Sequence, residues 1–311
     1  MRQEYGSRHW SLSSVSIIAR ANIGHIMAIN TINESNLPLE LLQKQQGHKF
    51  DHGHALVLSG GAGKTGAARL AAMAALRIGA GVVSLGTPPA AMLEVATHIS
   101  ALMVRKIATP HDVQTALSDK RISAICVGPG FGTASAQAAL IKEVLTSKRP
   151  TVLDADALTV LAANPDLRGL LHPACVLTPH AGEFARLFGG GCGDASVDER
   201  AETTVRAARN VGCTLVSKGE NTLIADQGEQ VFLHQASGAR AAPWLATAGS
   251  GDVLAGFIAG LLARGVTPMA AAKIAVWLHV ECAITFGPGL IAQDLPEVLP
   301  RVLQQLFVHR E

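Results

Sequence analysis

From His54 onward the chain alternates between two kinds of segment. Short runs of β-branched and aliphatic residues come at Ala55 to Leu58, Gly81 to Leu85, Ile122 to Val127, Thr151 to Asp154, Cys175 to Thr178 and Thr214 to Ser217. Their apolar positions are consecutive rather than alternate, the mark of a strand whose two faces are both covered. Between them lie Ala-rich stretches with helical spacing, among them Ala67 to Ile78, Ser135 to Thr146 and Asp198 to Val211. Strand and helix in repetition predict an α/β fold: a three-layer α/β/α sandwich with a mostly parallel central sheet and helices on both faces. Asn221 to Leu233 breaks the rhythm, because Asp226-Gln227-Gly228-Glu229 is a turn between two short apolar runs. That predicts antiparallel strands at a sheet edge. After Gly251 the pattern is helical, over Asp252 to Arg264, Pro268 to Phe286 and Leu295 to Val308.

The first 45 residues differ. Up to Asn33 they hold three Arg, several Ser and the single acid Glu4, a composition shared by transit peptides and by unstructured extensions. The chain is therefore divided into an N-terminal extension over 1–45, expected to be poorly ordered, and one domain over 46–311. Composition narrows the function. With 48% hydrophobic and only 16% charged residues the chain has the material for a large core and is not a disordered protein. Lys and Arg number 26 against 24 Asp and Glu, so a strongly basic nucleic-acid binder is excluded. The five cysteines (Cys126, Cys175, Cys192, Cys213 and Cys282) form no C-x-x-C pair, which suggests neither a disulfide framework nor a zinc site. A reducing, cytoplasmic setting is expected. The uncharged run Ile122 to Ile141 is broken by Gly128-Pro129-Gly130, so no membrane span is expected.

Ligands of parallel sheets sit beyond the carboxyl ends of the strands. Five predicted strand ends carry chemistry there: Gly60 to Gly63, Gly128 to Gly132, Asp154-Ala155-Asp156, Thr178 to Glu183 and Lys218 to Asn221. Gly63-Lys64-Thr65 invites a phosphate-loop reading, but that loop needs a glycine five positions before Gly63, and Leu58 stands there inside a strand. The sharpest feature is Thr247-Ala248-Gly249-Ser250-Gly251-Asp252, which opens a long apolar helix. Free N–H groups at a helix start attract an anion. Glycines on both sides of Ser250 let a phosphate approach the backbone. Asp252 reads either as a base beside that anion hole or as a helix cap. His180 and Glu183 lack an evident third metal ligand and are consistent with a helix cap. Asp154 and Asp156 read equally as Mg²⁺ ligands through water or, for Asp156, as a cap.

Taken in order, seven motifs carry a family resemblance: G-H-x-L-V-L-S-G-G-A-G-x-x-G-A-A at 53–68, A-L-R-x-G-A-G-V-V at 75–83, V-G-P-G-F-G at 127–132, L-D-A-D-A-L at 153–158, L-T-P-H-A-G-E at 177–183, S-K-G-E-N-T at 217–222 and A-G-S-G-D-V-L-A-G at 248–256. Over about residues 46–290 the chain resembles the ADP/ATP-dependent NAD(P)H-hydrate dehydratases, of ribokinase-like fold. The resemblance implies repair of NADH and NADPH hydrated at C6 of the dihydronicotinamide ring, acting on the S epimer. Phosphorylation by ADP or ATP, with Mg²⁺ offsetting phosphate charge, turns the 6-hydroxyl into a leaving group. By similarity Asp252 activates that hydroxyl and the amides of Gly249, Ser250 and Gly251 hold the moving phosphoryl group. Lys218, Gly219, Glu220, Asn221, Thr222 and Gly251 line the nucleotide site. Ala67, Gly130, Gly132, His180 and Asp252 match positions at the hydrated dinucleotide. The family also implies a homo-oligomer, commonly a tetramer. Some members carry a fused epimerase domain, for which about 45 residues are too few, so a separate epimerase is the expected partner.

Two departures stand out: Lys64-Thr65 where members often carry Met, and Thr247-Ala248-Gly249 where many read N-T-G or G-T-G. The same anion hole and base would equally serve a kinase of this fold acting on a thiazole- or pyridoxal-type alcohol, or, without turnover, a nucleotide-binding module.

Overall fold

The computed structural model describes residues 28–98, 100–189 and 195–308. Ten strands form one sheet: β1 (Ile29–Thr31), β2 (His54–Leu58), β3 (Val82–Thr87), β4 (Met103–Lys106), β5 (Ile122–Val127), β6 (Thr151–Leu153), β7 (Cys175–Leu177), β8 (Thr214–Ser217), β9 (Asn221–Ala225) and β10 (Val231–Gln235). The helices of the same chain are α1 (Gly66–Arg77), α2 (Met92–Ala96), α3 (Pro110–Leu117), α4 (Ser135–Thr146), α5 (Ala155–Ala163), α6 (Pro165–Arg168), α7 (Ala181–Phe188), α8 (Val197–Val211), α9 (Ser250–Ala263), α10 (Pro268–Phe286) and α11 (Asp294–Val308). Strand order is β1-β10-β9-β8-β7-β6-β5-β2-β3-β4. All neighbours from β8 to β4 are parallel, and only β9 runs against its two partners. The antiparallel hairpin expected over 221–233 is β9 and β10.

The consecutive apolar runs have the expected cause. Ala55 and Val57 of β2 face one core with α1, α9, α10 and α11, while Leu56 and Leu58 face a second core with α3, α4, α5, α7 and α8. Helix α10 is long and apolar enough to cross a membrane by length and composition, and 61% of that apolar stretch is buried inside the protein. It lies against the sheet as a central core helix, with Trp277 and Leu278 buried.

The boundary drawn at residue 45 is corrected. Residues 1–27 lie outside the described residues, but 28–45 belong to the fold. Strand β1 pairs with β10, and Leu37, Leu39 and Leu42 are buried in the first core. Arg264 ties this segment down by donating to the carbonyls of Leu42 and Gln43, at 3.2 and 3.0 Å. Four apolar side chains spaced among polar ones, Ile32 included, were enough to anchor a stretch whose composition reads as solvated. Of the cysteines, Cys126, Cys175, Cys213 and Cys282 are buried and free, and Cys192 lies outside the described residues.

The order reverses at one place. The chain runs β2, β3, β4 outward, then returns to lay β5 on the other side of β2. That reversal is where an open parallel sheet leaves a crevice at its carboxyl end. The loops after β2 and β5 flank it and touch: a Cβ on Gly60 would lie 2.0 Å from the Gly130 carbonyl oxygen. Only glycine fits that approach.

Candidate active site

The turn before α9 opens a helix that packs against α1, β2, β5 and β6, the elements on both sides of that reversal. Gly249 is in the left-handed region, with φ of 90°, and is the N-cap. Ser250, Gly251 and Asp252 are therefore the first three helical residues, and Asp252 is no cap. Its carboxylate makes no capping hydrogen bond. The Ser250 hydroxyl is engaged elsewhere, donating to the Leu245 carbonyl at 2.8 Å. The turn thus presents backbone N–H groups and one carboxylate, the composition expected of an anion site with a base beside it.

Asp252 stands in a charged cluster. Burial first, then the nearby charge of Asp154, push its carboxyl up to about 7, with Asp156 and Glu183 adding to the rise and Lys218 opposing it. Lys218 donates to Asp154 Oδ1 at 2.7 Å, and Thr178 Oγ1 donates to the same oxygen at 2.7 Å. Burial would discharge the Lys218 ammonium, but the Asp154 charge and hydrogen bond outweigh it and hold its pKa above the usual lysine value. A Cβ on Gly251 would stand 3.3 Å from Lys218 Nζ, so the ammonium reaches the anion-binding turn.

On one side of the turn opens a cavity of about 730 Å³, lined by His180, Lys218, Gly219, Glu220, Thr222, Ser250 and Gly251 among others. Its far wall comes from β10 and the segment before α9, including His234, Pro243 and Leu245. The volume suits a nucleotide. Of the five residues expected from 218 to 222, Asn221 does not line it. Asn221 opens β9 and pairs in register with Gln235. Its side chain receives a hydrogen bond from Gln235 at 3.4 Å, and its carbonyl accepts from Arg200 at 2.9 Å. Side chains alternate along a strand, so when Thr222 faces the cavity its predecessor faces away.

On the other side lie the glycine loops. A Cβ on Gly130 would stand 3.3 Å from Ala67 Cβ, and Gly132 donates its N–H to Asp156 Oδ2 at 2.7 Å. Asp156 therefore does not cap α5; it ties the loop after β5 to the cluster. His180 caps α7 with its ring, accepting from the Gly182 N–H at Nδ1 (3.0 Å), while Glu183 accepts from the His180 N–H at 2.9 Å. Its Nε2 is 3.4 Å from Glu183 Oε1, and the ring is still half exposed beside the cavity. The cap and the ligand-facing position are thus the same residue.

Among the described residues no group of three or more His, Cys, Asp or Glu converges on one point as a metal cage. The carboxylates nearest the turn are engaged with Lys218, Thr178 and the Gly132 N–H. These residues do not fit a protein-held ion, and Mg²⁺ fits here only as the companion of nucleotide phosphates.

Two contributors carry no signal in the sequence. Glu94, on the short helix α2, accepts from the Gly63 N–H at 2.7 Å and from the Thr65 hydroxyl, so it clasps the loop after β2. His279, on α10, holds the Ser250 carbonyl.

The family model described as NAD(P)H-hydrate dehydratase matches residues 55–303. The bifunctional NAD(P)H-hydrate repair enzyme of Coxiella burnetii is 35% identical over 263 residues, covering 83% of this chain and 52% of that protein. The chain thus spans about half the length of such bifunctional relatives. The ADP-dependent (S)-NAD(P)H-hydrate dehydratase of Neisseria meningitidis is 36% identical over 265 residues, 81% of this chain and 85% of its own. The ADP/ATP-dependent NAD(P)H-hydrate dehydratase of Bacillus subtilis, co-crystallised with ATP and Mg²⁺, superposes with a TM-score of 0.71 at 29% identity, covering 85% of this chain and 93% of that one. The ribokinase of Arabidopsis thaliana shares the fold alone, at a TM-score of 0.55 and 12% identity over 81% of this chain and 98% of its own. Fold, motif order and the match over 55–303 agree: the chain belongs to the NAD(P)H-hydrate dehydratase family.

Proposed function

We propose that this protein returns the S epimer of hydrated NADH or NADPH to the intact dinucleotide at the expense of ADP or ATP. The observation that carries the reading is the placement of Asp252: one step past the anion-binding turn, with a nucleotide-sized cavity on one side and two abutting glycine loops on the other. The nucleotide occupies the cavity, and the dihydronicotinamide ring lies toward Ala67 and Gly130. Asp252 takes the proton of the 6-hydroxyl as its oxygen attacks the terminal phosphorus. The N–H groups of the Gly249–Gly251 turn and the Lys218 ammonium stabilise the equatorial oxygens. The ring nitrogen's lone pair then expels inorganic phosphate, and loss of a proton from C5 of the resulting iminium restores the dihydropyridine. Mg²⁺ brought in with the nucleotide would neutralise charge on the phosphates.

The test incubates the protein with hydrated NADH, Mg²⁺ and either ADP or ATP, and follows the NADH absorbance together with free phosphate. Recovery of NADH with matching phosphate release supports repair. A stable phospho-ester would make the protein a kinase of an alcohol instead, and no recovery with either nucleotide would remove the reading. An epimerase supplied separately would extend recovery to the R epimer.

The pH dependence is fixed by the base. Asp252 works ionised, so kcat/KM is expected to be level above pH 7 and to fall about tenfold per pH unit below it. Lys218 holds that carboxyl down against burial, so Lys218→Met should move the acidic limb to higher pH. A limb that stays in place in that variant would show another group titrating.

Glu94 orders the loop that precedes Ala67. Glu94→Ala is expected to raise KM for hydrated NADH by about 3- to 10-fold while leaving ADP affinity unchanged, as read by steady-state kinetics and calorimetry. Equal weakening of both ligands would place the effect outside the loop.

A further inference from the structure

The anion-binding turn is held by a residue of α10 that also lines the cavity and that the reaction does not use. His279 sits on α10, buried at 8% exposure, with its ring edge-on to Phe257 at 6.5 Å. Its Nε2 lies 2.8 Å from the carbonyl oxygen of Ser250. A carbonyl only accepts, so Nε2 carries the hydrogen and donates. Burial, ahead of the Lys218 charge that acts the same way, drives the imidazole pKa down to about 4 against the Ser250 bond, so the ring is a neutral donor throughout the physiological range.

The consequence lies in the geometry of one peptide unit. The Ser250 carbonyl and the Gly251 N–H belong to the same planar trans peptide and point in opposite directions. Fixing the oxygen from the α10 side fixes where the hydrogen points. Gly251 has no side chain, its position lies against Lys218 Nζ, and it lines the cavity. Gly251 adds no Cβ restraint to this peptide, which is otherwise set by the first turn of α9. The Ser250 hydroxyl bond to Leu245 anchors the residue's side chain, while His279 acts on the following peptide through its carbonyl.

We propose that His279 is the positioning residue of the anion-binding turn, clamping the Ser250–Gly251 peptide so that the Gly251 N–H faces the phosphoryl group in transfer. This rests on the repair reading for the identity of that phosphoryl group. The clamp itself is a property of nucleotide binding and is read separately. His279 touches neither reacting atom; it acts through the peptide, and its loss is felt where charge develops.

The experiment compares His279→Gln, whose amide nitrogen reaches the place of Nε2, with His279→Asn, which stops short, and His279→Leu, which fills space without donating. For each, kcat and KM are measured in the repair assay, and AMP, ADP and ATP binding by calorimetry, alongside thermal unfolding. His279→Asn and His279→Leu are expected to lose about 10- to 100-fold in kcat, less than outright removal of an oriented donor costs. KM for hydrated NADH should stay within about threefold. AMP affinity should hold within about twofold, while the added affinity conferred by the transferable phosphoryl group shrinks about tenfold. His279→Gln should recover most of both losses. Equal loss in the Gln and Asn variants would reduce His279 to a packing residue and overturn the proposal. So would loss of AMP affinity in step with that of ATP, which would make the ring a direct nucleotide contact. If His279→Leu fails to fold, the Gln and Asn pair decides. If the wild-type protein restores no NADH, the repair reading falls, and the calorimetric comparison of AMP with ADP and ATP still decides the clamp.

Discussion

Asp252→Asn is expected to abolish most turnover and, at the same time, to stabilise the protein above neutral pH. Turnover should fall by about 100-fold or more, the scale for a lost general base, while ADP affinity stays within a few-fold because the backbone donors of Gly249 to Gly251 remain. The stability effect follows from the same burial. The Asp252 carboxyl rises from an ordinary 3.8 to about 7 in the folded protein, by burial first and the Asp154 charge second. The native state therefore holds this proton more tightly than the unfolded chain. Stability from the group is complete below about pH 4 and is lost as pH climbs through about 7. At pH 8 the folded state carries a deficit of about 4 kcal/mol in order of magnitude. Asn keeps the shape and removes the charge. Urea unfolding at pH 5 and pH 8 should show the variant's advantage widening by about 2 kcal/mol or more with rising pH. An advantage that does not grow would place Asp252 in water rather than in the cluster. Unchanged turnover would leave a nucleotide-binding module as the better description.

What the sequence showed and what it hid divide along physical lines. The strands buried on both faces were legible because two covering layers demand consecutive apolar residues, as in Ala55 to Leu58. Strand β4 was not: Met103-Val104-Arg105-Lys106 lies at the sheet edge, where charge is protective and periodicity is lost. Strand β1 escaped because three residues in a polar stretch carry no pattern. At the site, Gly249 to Asp252 was legible because glycine and serine before an apolar helix have a local reason. The pairing of Lys218 with Asp154 joins residues 64 apart, and the bond from His279 to Ser250 spans 29. No local rule links them, since they meet only once the sheet sets its strand ends side by side. Glu94 is the clearest case. It reaches Gly63 across 31 residues, from a helix too short to show a period. Asn221 has the opposite lesson: a family motif names a run of residues, but the pleat decides which of them face the cavity.

The largest structural effect is expected at a glycine one helical turn beyond Asp252. Gly256-x-x-x-Gly260 on α9 packs on α1, whose Ala68, Ala71, Ala72, Ala74 and Ala75 are fully buried. A Cβ at Gly256 would lie 2.2 Å from the Ala71 carbonyl oxygen and 2.7 Å from Ala74 Cβ. At Gly260 it would lie 2.3 Å from Ile78 Cγ2 and 2.6 Å from the Ala75 carbonyl oxygen. The first obstacle at Gly256 is backbone, which cannot rotate aside, so α9 must move off α1. Ala gains about 1 kcal/mol of helix propensity over Gly, and the clash opposes it. Gly256→Ala is expected to lose about 1–3 kcal/mol net and Gly256→Leu more than about 3 kcal/mol, measured by urea unfolding. Gly66→Ala, where α1 begins and a Cβ meets nothing within 4 Å, should stay within about 0.5 kcal/mol of the wild type. Activity should fall in Gly256→Ala by more than its unfolded fraction explains. Helix α9 begins with the anion-binding turn and α1 begins at Gly66-Ala67, so parting the helices moves Asp252 away from Ala67 and the loop before it. A Gly256→Ala protein with wild-type stability and turnover would show that this contact is looser than its distances, and that the two halves of the site are aligned by something other than the small residues between α1 and α9.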